Sequence, residues 1–113
     1  MFLGIDLGTS SLKAVVIDSQ HQVRATAEAP LEVNHPKTNW SEQDPAHWEH
    51  ALALVCADLN SQTQLQQVER IGLTGQMHGA TCLDAKGHVI RPCILWNDGR
   101  SGEECITLNR LGD

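Results

Sequence analysis

The sequence predicts an α/β domain built on a mixed sheet, and three observations carry that expectation. Residues 1–33 hold three strand-like runs separated only by short turns. A capped helix pattern of about four turns starts at Asp44. Another strand-like run follows directly, and a strand reached through a helix most easily lies parallel to an earlier one.

The first run is Phe2, Leu3 and Ile5, closed by Asp6; the second is Leu12, Ala14, Val15, Val16 and Ile17. Continuous apolar runs rich in β-branched residues read as strands buried on both faces. Between them lies Leu7-Gly8-Thr9-Ser10-Ser11, a small, hydroxyl-rich turn. Backbone N–H groups at such a turn make an anion nest, and only small residues let a phosphate come close. Asp6 beside that nest repels phosphate unless a divalent cation sits between them. Mg²⁺ suits that place, because it takes one or two carboxylates together with phosphate oxygens and water. Lys13 adds a point charge for a phosphoryl group. Asp6, Gly8, Thr9, Ser10 and Lys13 therefore read as a Mg-nucleotide phosphate site. Ordinary turn chemistry with an acid at the strand end explains the same residues, and the local pattern leaves both readings open. Neither a Walker loop nor Gly-x-Gly-x-x-Gly is present.

Asp18 to Gln22 is polar and reads as a turn. Val23, Ala25, Ala27, Ala29, Leu31 and Val33 then alternate as one face of a half-buried strand. Pro30 makes its end an edge or a bulge. The three strands form an antiparallel meander. Asn34 to Gln43 reads as an irregular loop. Asp44-Pro45 is a helix start, with Asp as N-cap and Pro in the first turn. Trp48, Ala51, Leu52, Val55, Cys56 and Leu59 follow at helical spacing, and Asn60-Ser61 ends the helix. Trp40 is expected to pack on Trp48.

The next strand, Val68 to Leu73, ends in Thr74-Gly75-Gln76-Met77-His78-Gly79-Ala80. Loops after such strand ends are where open α/β sheets bind ligands. The two bracketing glycines suggest a tight backbone path that turns Gln76, Met77 and His78 outward. Gln76 and His78 offer donors and acceptors, and Met77 a flexible apolar surface. That set suits a polyol; a solvated loop is the plainer reading. Thr81–Asp84 and His88–Pro92 flank a hairpin signal at Ala85-Lys86-Gly87. Cys93 to Asp98 is an apolar run with a polar end. A second helix starts near Ser101, with Ile106, Leu108 and Leu111 facing inward and Glu103-Glu104 favourable to its dipole.

Composition excludes several classes. Net charge is −6 and the pI near 5.4, against a nucleic-acid binder. No apolar run approaches membrane-spanning length, and no basic-then-apolar leader opens the chain, which points to the cytoplasm. Cys56, Cys82, Cys93 and Cys105 match no zinc or redox spacing and read as reduced thiols among apolar neighbours. His47 and His50, three apart without a third ligand, read as surface residues.

Four segments occur in order: Gly4-Ile5-Asp6-Leu7-Gly8-Thr9-Ser10, Trp40-Ser41-Glu42-Gln43-Asp44-Pro45, Gly75-Gln76-Met77-His78-Gly79 and Leu95-Trp96-Asn97-Asp98-Gly99-Arg100. Together they resemble the N-terminal part of the FGGY carbohydrate kinases, and within them the xylulokinases. The resemblance covers essentially the whole chain. It implies a ribonuclease H-like domain and Mg-ATP-dependent phosphorylation of D-xylulose, or a related ketose, at its terminal hydroxyl. It implies Asp6 on the Mg-phosphate side, with Gly8 to Ser10 and Lys13 near the transferring phosphate. Gln76, Met77 and His78 would meet the ketose, and Trp96, Asn97, Asp98 and Arg100 would line or brace the sugar pocket. It also implies that residues 1–113 are one partial, truncated N-terminal domain. The family's proton-accepting aspartate and most adenine contacts lie further on, so this chain alone is expected to be inactive. A missing domain interface would favour self-association. The other reading is a stand-alone sugar-binding or interaction module that reuses the fold.

Overall fold

Alternation of apolar side chains sets the first layer. β1 (Phe2–Leu7), β2 (Ser11–Ile17) and β3 (Val23–Pro30) form an antiparallel meander in the computed structural model, which describes residues 1–112. β4 (Glu42–Gln43) is a two-residue strand, and α1 (Pro45–Gln62) follows it. After a 3-10 turn at Leu65–Gln67, β5 (Arg70–Gly75) pairs in parallel with β1. β6 (Cys93–Ile94) pairs antiparallel with β4, and α2 (Gly102–Leu111) closes the described chain. The main sheet has the order β3-β2-β1-β5.

Leu3 and Ile5, Leu12, Ala14 and Val16, and Ala25, Ala27 and Ala29 share one face of the sheet. Ala51, Val55 and Leu59 of α1 close on it. The three alanines of β3 are small enough for α1 to lie close over β2 and β3. Asp44 caps the helix: its Oδ1 accepts from the Ala46 N–H at 2.9 Å. The helix passes its expected end at Asn60-Ser61 and stops at Gln62. Gln62 is anchored there, its Nε2 donating to the Thr26 carbonyl at 2.9 Å. That bond also occupies part of the outer edge of β3.

Several expectations change here. β1 and β2 are covered on one face only. On the other, Gly4, Asp6, Lys13, Glu28, Gly72 and Thr74 help line an open trough of about 800 Å³. α1 packs chiefly over β2 and β3, and Ile71 and Leu73, paired with Leu3 and Ile5, stay 64% and 77% exposed. Part of the 34–43 loop is strand, because Asn34 takes up both backbone groups of Glu42 and β6 pairs along the other side of β4. The 81–92 hairpin forms through one bridge, Leu83 to Val89. α2 has no buried residue: Ile106, Leu108 and Leu111 are exposed, since no described element packs on them. All four cysteines are free, but Cys82 and Cys105 are exposed and only Cys93 is buried. The radius of gyration is 17.9 Å, where a compact chain of this length has about 13 Å.

Candidate functional site

The β1–β2 turn is built by close backbone approach. The Gly8 N–H donates to the Ser11 carbonyl at 3.0 Å. A Cβ at Gly8 would lie 2.9 Å from that same oxygen, so the turn closes only with glycine. The Ser10 carbonyl accepts from the Leu31 N–H at 2.8 Å, which pins the turn to the exit of β3. The Gly8 N–H is thus occupied, and the nest narrows to the N–H groups of Thr9 and Ser10, which have no partner among the described residues.

Asp6 is exposed on the trough, between Lys13 of β2 and Thr74 of β5 in register. The Lys13 Nζ lies 3.6 Å from Glu28 Oε1, an exposed pair that solvent screens. Among the described residues no group of three or more His, Cys, Asp or Glu side chains could hold a metal. One open carboxylate beside two free N–H groups fits a cation carried in on a phosphate with its waters, and not a protein-only cage.

A chain of hydrogen bonds leads from this turn to the loop after β5. The Trp96 Nε1–H donates to Thr9 Oγ1 at 3.2 Å, and Thr9 Oγ1 donates to Gln76 Oε1 at 3.1 Å. Gln76 Nε2 donates to Gln43 Oε1 at 2.9 Å, as does the Trp48 indole at 3.1 Å. Gln43 Nε2 donates to the Thr9 carbonyl at 2.6 Å. Gln76 therefore turns inward, contrary to the outward expectation, because its amide completes this chain. Met77 and His78 are exposed. His78 carries the positive φ of the loop, 62°, while Gly75 and Gly79 do not. Gly79 serves packing instead: a Cβ there would sit 3.0 Å from Cys93 Sγ. A non-glycine residue in the left-handed region stores local strain of the kind that clusters at binding sites.

Asp98 and Arg100 face each other. Arg100 donates from Nε to Asp98 Oδ1 at 2.8 Å and from Nη2 to Asp98 Oδ2 at 2.7 Å and Glu42 Oε2 at 2.9 Å. The Ser41 N–H donates to Asp98 Oδ2 at 2.6 Å. The Arg100 hydrogen bonds hold the Asp98 carboxyl well below the usual carboxylate range. Asp98 in turn raises the Arg100 pKa above its ordinary value. The guanidinium carbon stacks 3.6 Å from the Trp40 ring centroid. Trp40 thus pairs with Arg100, and Trp48 is engaged with Gln43; the expected Trp40–Trp48 packing gives way to two separate polar anchors. Asp98 and Arg100 brace the 95–100 segment against β4. Asn97 lines a separate depression of about 420 Å³ with His35, Lys37 and Trp40. Reasoning from sequence missed Gln43 and Glu42. Their only signal is membership of the Trp40-to-Pro45 segment, since a two-residue strand has no period.

Solved sugar kinases share this arrangement of sheet, helix and loops. A structure described as a "xyloylose kinase" from Brucella ovis superposes with a TM-score of 0.90 at 47% identity, over 94% of this chain and 23% of that one. Xylulose kinase from Rhodospirillum rubrum gives 0.88 at 33% identity, over 96% and 22%. The fold is that of the ribonuclease H-like sugar kinases. Residues 1–113 match the model of the FGGY family of carbohydrate kinases, N-terminal domain, and the chain belongs to that family. It is 48% identical over 108 residues to the xylulose kinase of Escherichia coli K12, and 40% identical over 113 residues to that of Lactococcus lactis. It spans 22% and 23% of the length of those two relatives.

Proposed function

We propose that residues 1–113 form a single domain that supplies the ketose- and phosphate-facing part of a D-xylulose kinase. The overall reaction moves the γ-phosphoryl group of ATP to the terminal hydroxyl of D-xylulose, giving ADP and D-xylulose 5-phosphate. The observation that supports this reading is the Gln76–Thr9–Trp96 contact. It joins a turn suited to phosphate with a loop suited to a polyol, and phosphoryl transfer is mainly positioning and electrostatics. The xylulose kinases named above favour a ketose, and as kinases they do not favour a stand-alone binding module.

In this reading the N–H groups of Thr9 and Ser10 donate to phosphoryl oxygens. Lys13 leaves its exposed pairing with Glu28 to do the same. Asp6 would hold Mg²⁺ through water, and the ion would supply charge neutralisation for the phosphates. Met77 covers an apolar C–H face of the sugar, and His78 hydrogen-bonds its hydroxyls. Trp96 borders the sugar, Asn97 faces the neighbouring depression, and Asp98 and Arg100 keep their segment in place. No residue of this chain is assigned the proton of the attacking hydroxyl. The protein works in the cytoplasm on small molecules, without nucleic acid or membrane partners. Among the described residues no helix is long and apolar enough to cross a membrane. The exposed Ile71, Leu73 and apolar side chains of α2 would drive the chain to self-associate when nothing else covers them.

Amide NMR on the 113-residue chain tests the reading. D-xylulose should shift Met77, His78 and Trp96, and Mg-ATP should shift Thr9 and Ser10. A folded chain in which D-xylulose moves none of the first three would overturn the ketose assignment.

A further inference from the structure

We infer that Gln43 is a positioning residue that sets the phosphate turn and the ketose loop in one geometry. The inference rests on the reading of the Thr9 turn and the Gln76–His78 loop as two halves of one site. Gln43 is 1% exposed, and a buried amide must have its hydrogen bonds met. Its orientation follows from chemistry. An indole N–H can only donate, so the Trp48 contact fixes Oε1 toward Trp48. Nε2 must then face the other way, where it donates to the Thr9 carbonyl. With Oε1 accepting, Gln76 has to present Nε2 to Gln43 and its own Oε1 to Thr9. The Thr9 hydroxyl spends its proton on Gln76 and accepts from Trp96.

Every donor and acceptor direction in the chain is thus settled by Trp48 at one end and Trp96 at the other. The Gln43 side chain bonds the Thr9 backbone carbonyl and the Gln76 side chain, so it is the shared neighbour of both halves. It sits on β4, held by the β6 pairing and next to Glu42, which Arg100 clamps. A shift of Gln43 would move the Thr9 carbonyl and the Gln76 amide together. The position of the two free N–H groups at Thr9 and Ser10 relative to Met77 and His78 then depends on this one amide.

The three tryptophans report on it through their indole N–H signals in the 113-residue chain. Gln43→Met keeps the volume and removes the hydrogen bonds. It should shift the Trp48 signal and also strip exchange protection from Trp96, which Gln43 does not touch. Trp40, stacked on Arg100, should stay in place and report that the fold is intact. Thr9→Val approaches from the far end and leaves the Gln43 side chain itself unaltered: it should shift Trp48 through Gln76 and the Gln43 amide oxygen they share. Trp96 unchanged in Gln43→Met, or Trp48 unchanged in a folded Thr9→Val, would reduce Gln43 to an anchor for α1 and overturn the inference. If Gln43→Met does not fold, Thr9→Val decides alone. Neither measurement uses a ligand, so a chain that ignores D-xylulose would refute the proposed substrate and leave this coupling standing.

Discussion

Thr9 divides its work between side chain and backbone. The hydroxyl is consumed by Gln76 and Trp96, which leaves the N–H for an anion. Asp6 next to it has a different task, and Asp6→Asn separates shape from charge. The variant should still bind ATP weakly, but the Mg²⁺-dependent part of the Thr9 and Ser10 amide shifts should vanish. Unaltered Mg²⁺ dependence would make Asp6 a structural strand end. His78→Ala should leave ATP-induced shifts alone and weaken D-xylulose binding by roughly tenfold to a hundredfold, the cost of leaving sugar hydroxyls unpaired. Equal loss for both ligands together with an earlier melt would assign His78 to folding. At this scale the sequence was legible where a residue type has one dominant use. Gly8 stands out as a turn glycine, and the turn closes only on it. Gln43 does not stand out, since a glutamine in a loop has no spacing that distinguishes a buried hub from a solvated side chain.

Elements with a period were read from the chain, and those without one were not. β1 to β3 and α1 carry alternation or helical spacing and formed close to the expected bounds. α1 ends at Gln62 because the Thr26 backbone captures that side chain, a long-range event that no local pattern announces. β4 and β6 have two residues each and exist through each other. α2 has the period of an amphipathic helix but no described partner, so its inward face is outward here. Two substitutions measure what holds α1. Asp44→Ala removes the cap bond to Ala46 and should cost about 1 kcal/mol in denaturant unfolding. Leu59→Ala, at a side chain with no exposure, should cost about 2–5 kcal/mol. A cap variant as damaging as the core variant would mean that local helix formation, and not packing on β2 and β3, sets the stability.

The described chain is open: one sheet face is packed, the other is a trough, and apolar side chains of β5 and α2 lie in solvent. Its acid sensitivity should centre on Asp98 and its contact with Arg100. The folded Asp98 pKa lies below the ordinary carboxylate value of about 3.9. Its contribution to stability is therefore present above that value and lost as pH falls through the folded pKa. Asp98→Asn should lower the melting temperature at neutral pH and flatten the fall in stability on the acid side of about pH 4. The central claim is that this chain carries the ketose and phosphate side of a D-xylulose kinase. The most direct measurement joins residues 1–113 to the remainder of the Escherichia coli xylulose kinase, in place of the matching segment, and follows ADP release. ADP should appear with D-xylulose and Mg-ATP, and far less with glycerol or gluconate. A folded chimera that releases no ADP with D-xylulose, or that prefers glycerol or gluconate, would contradict it.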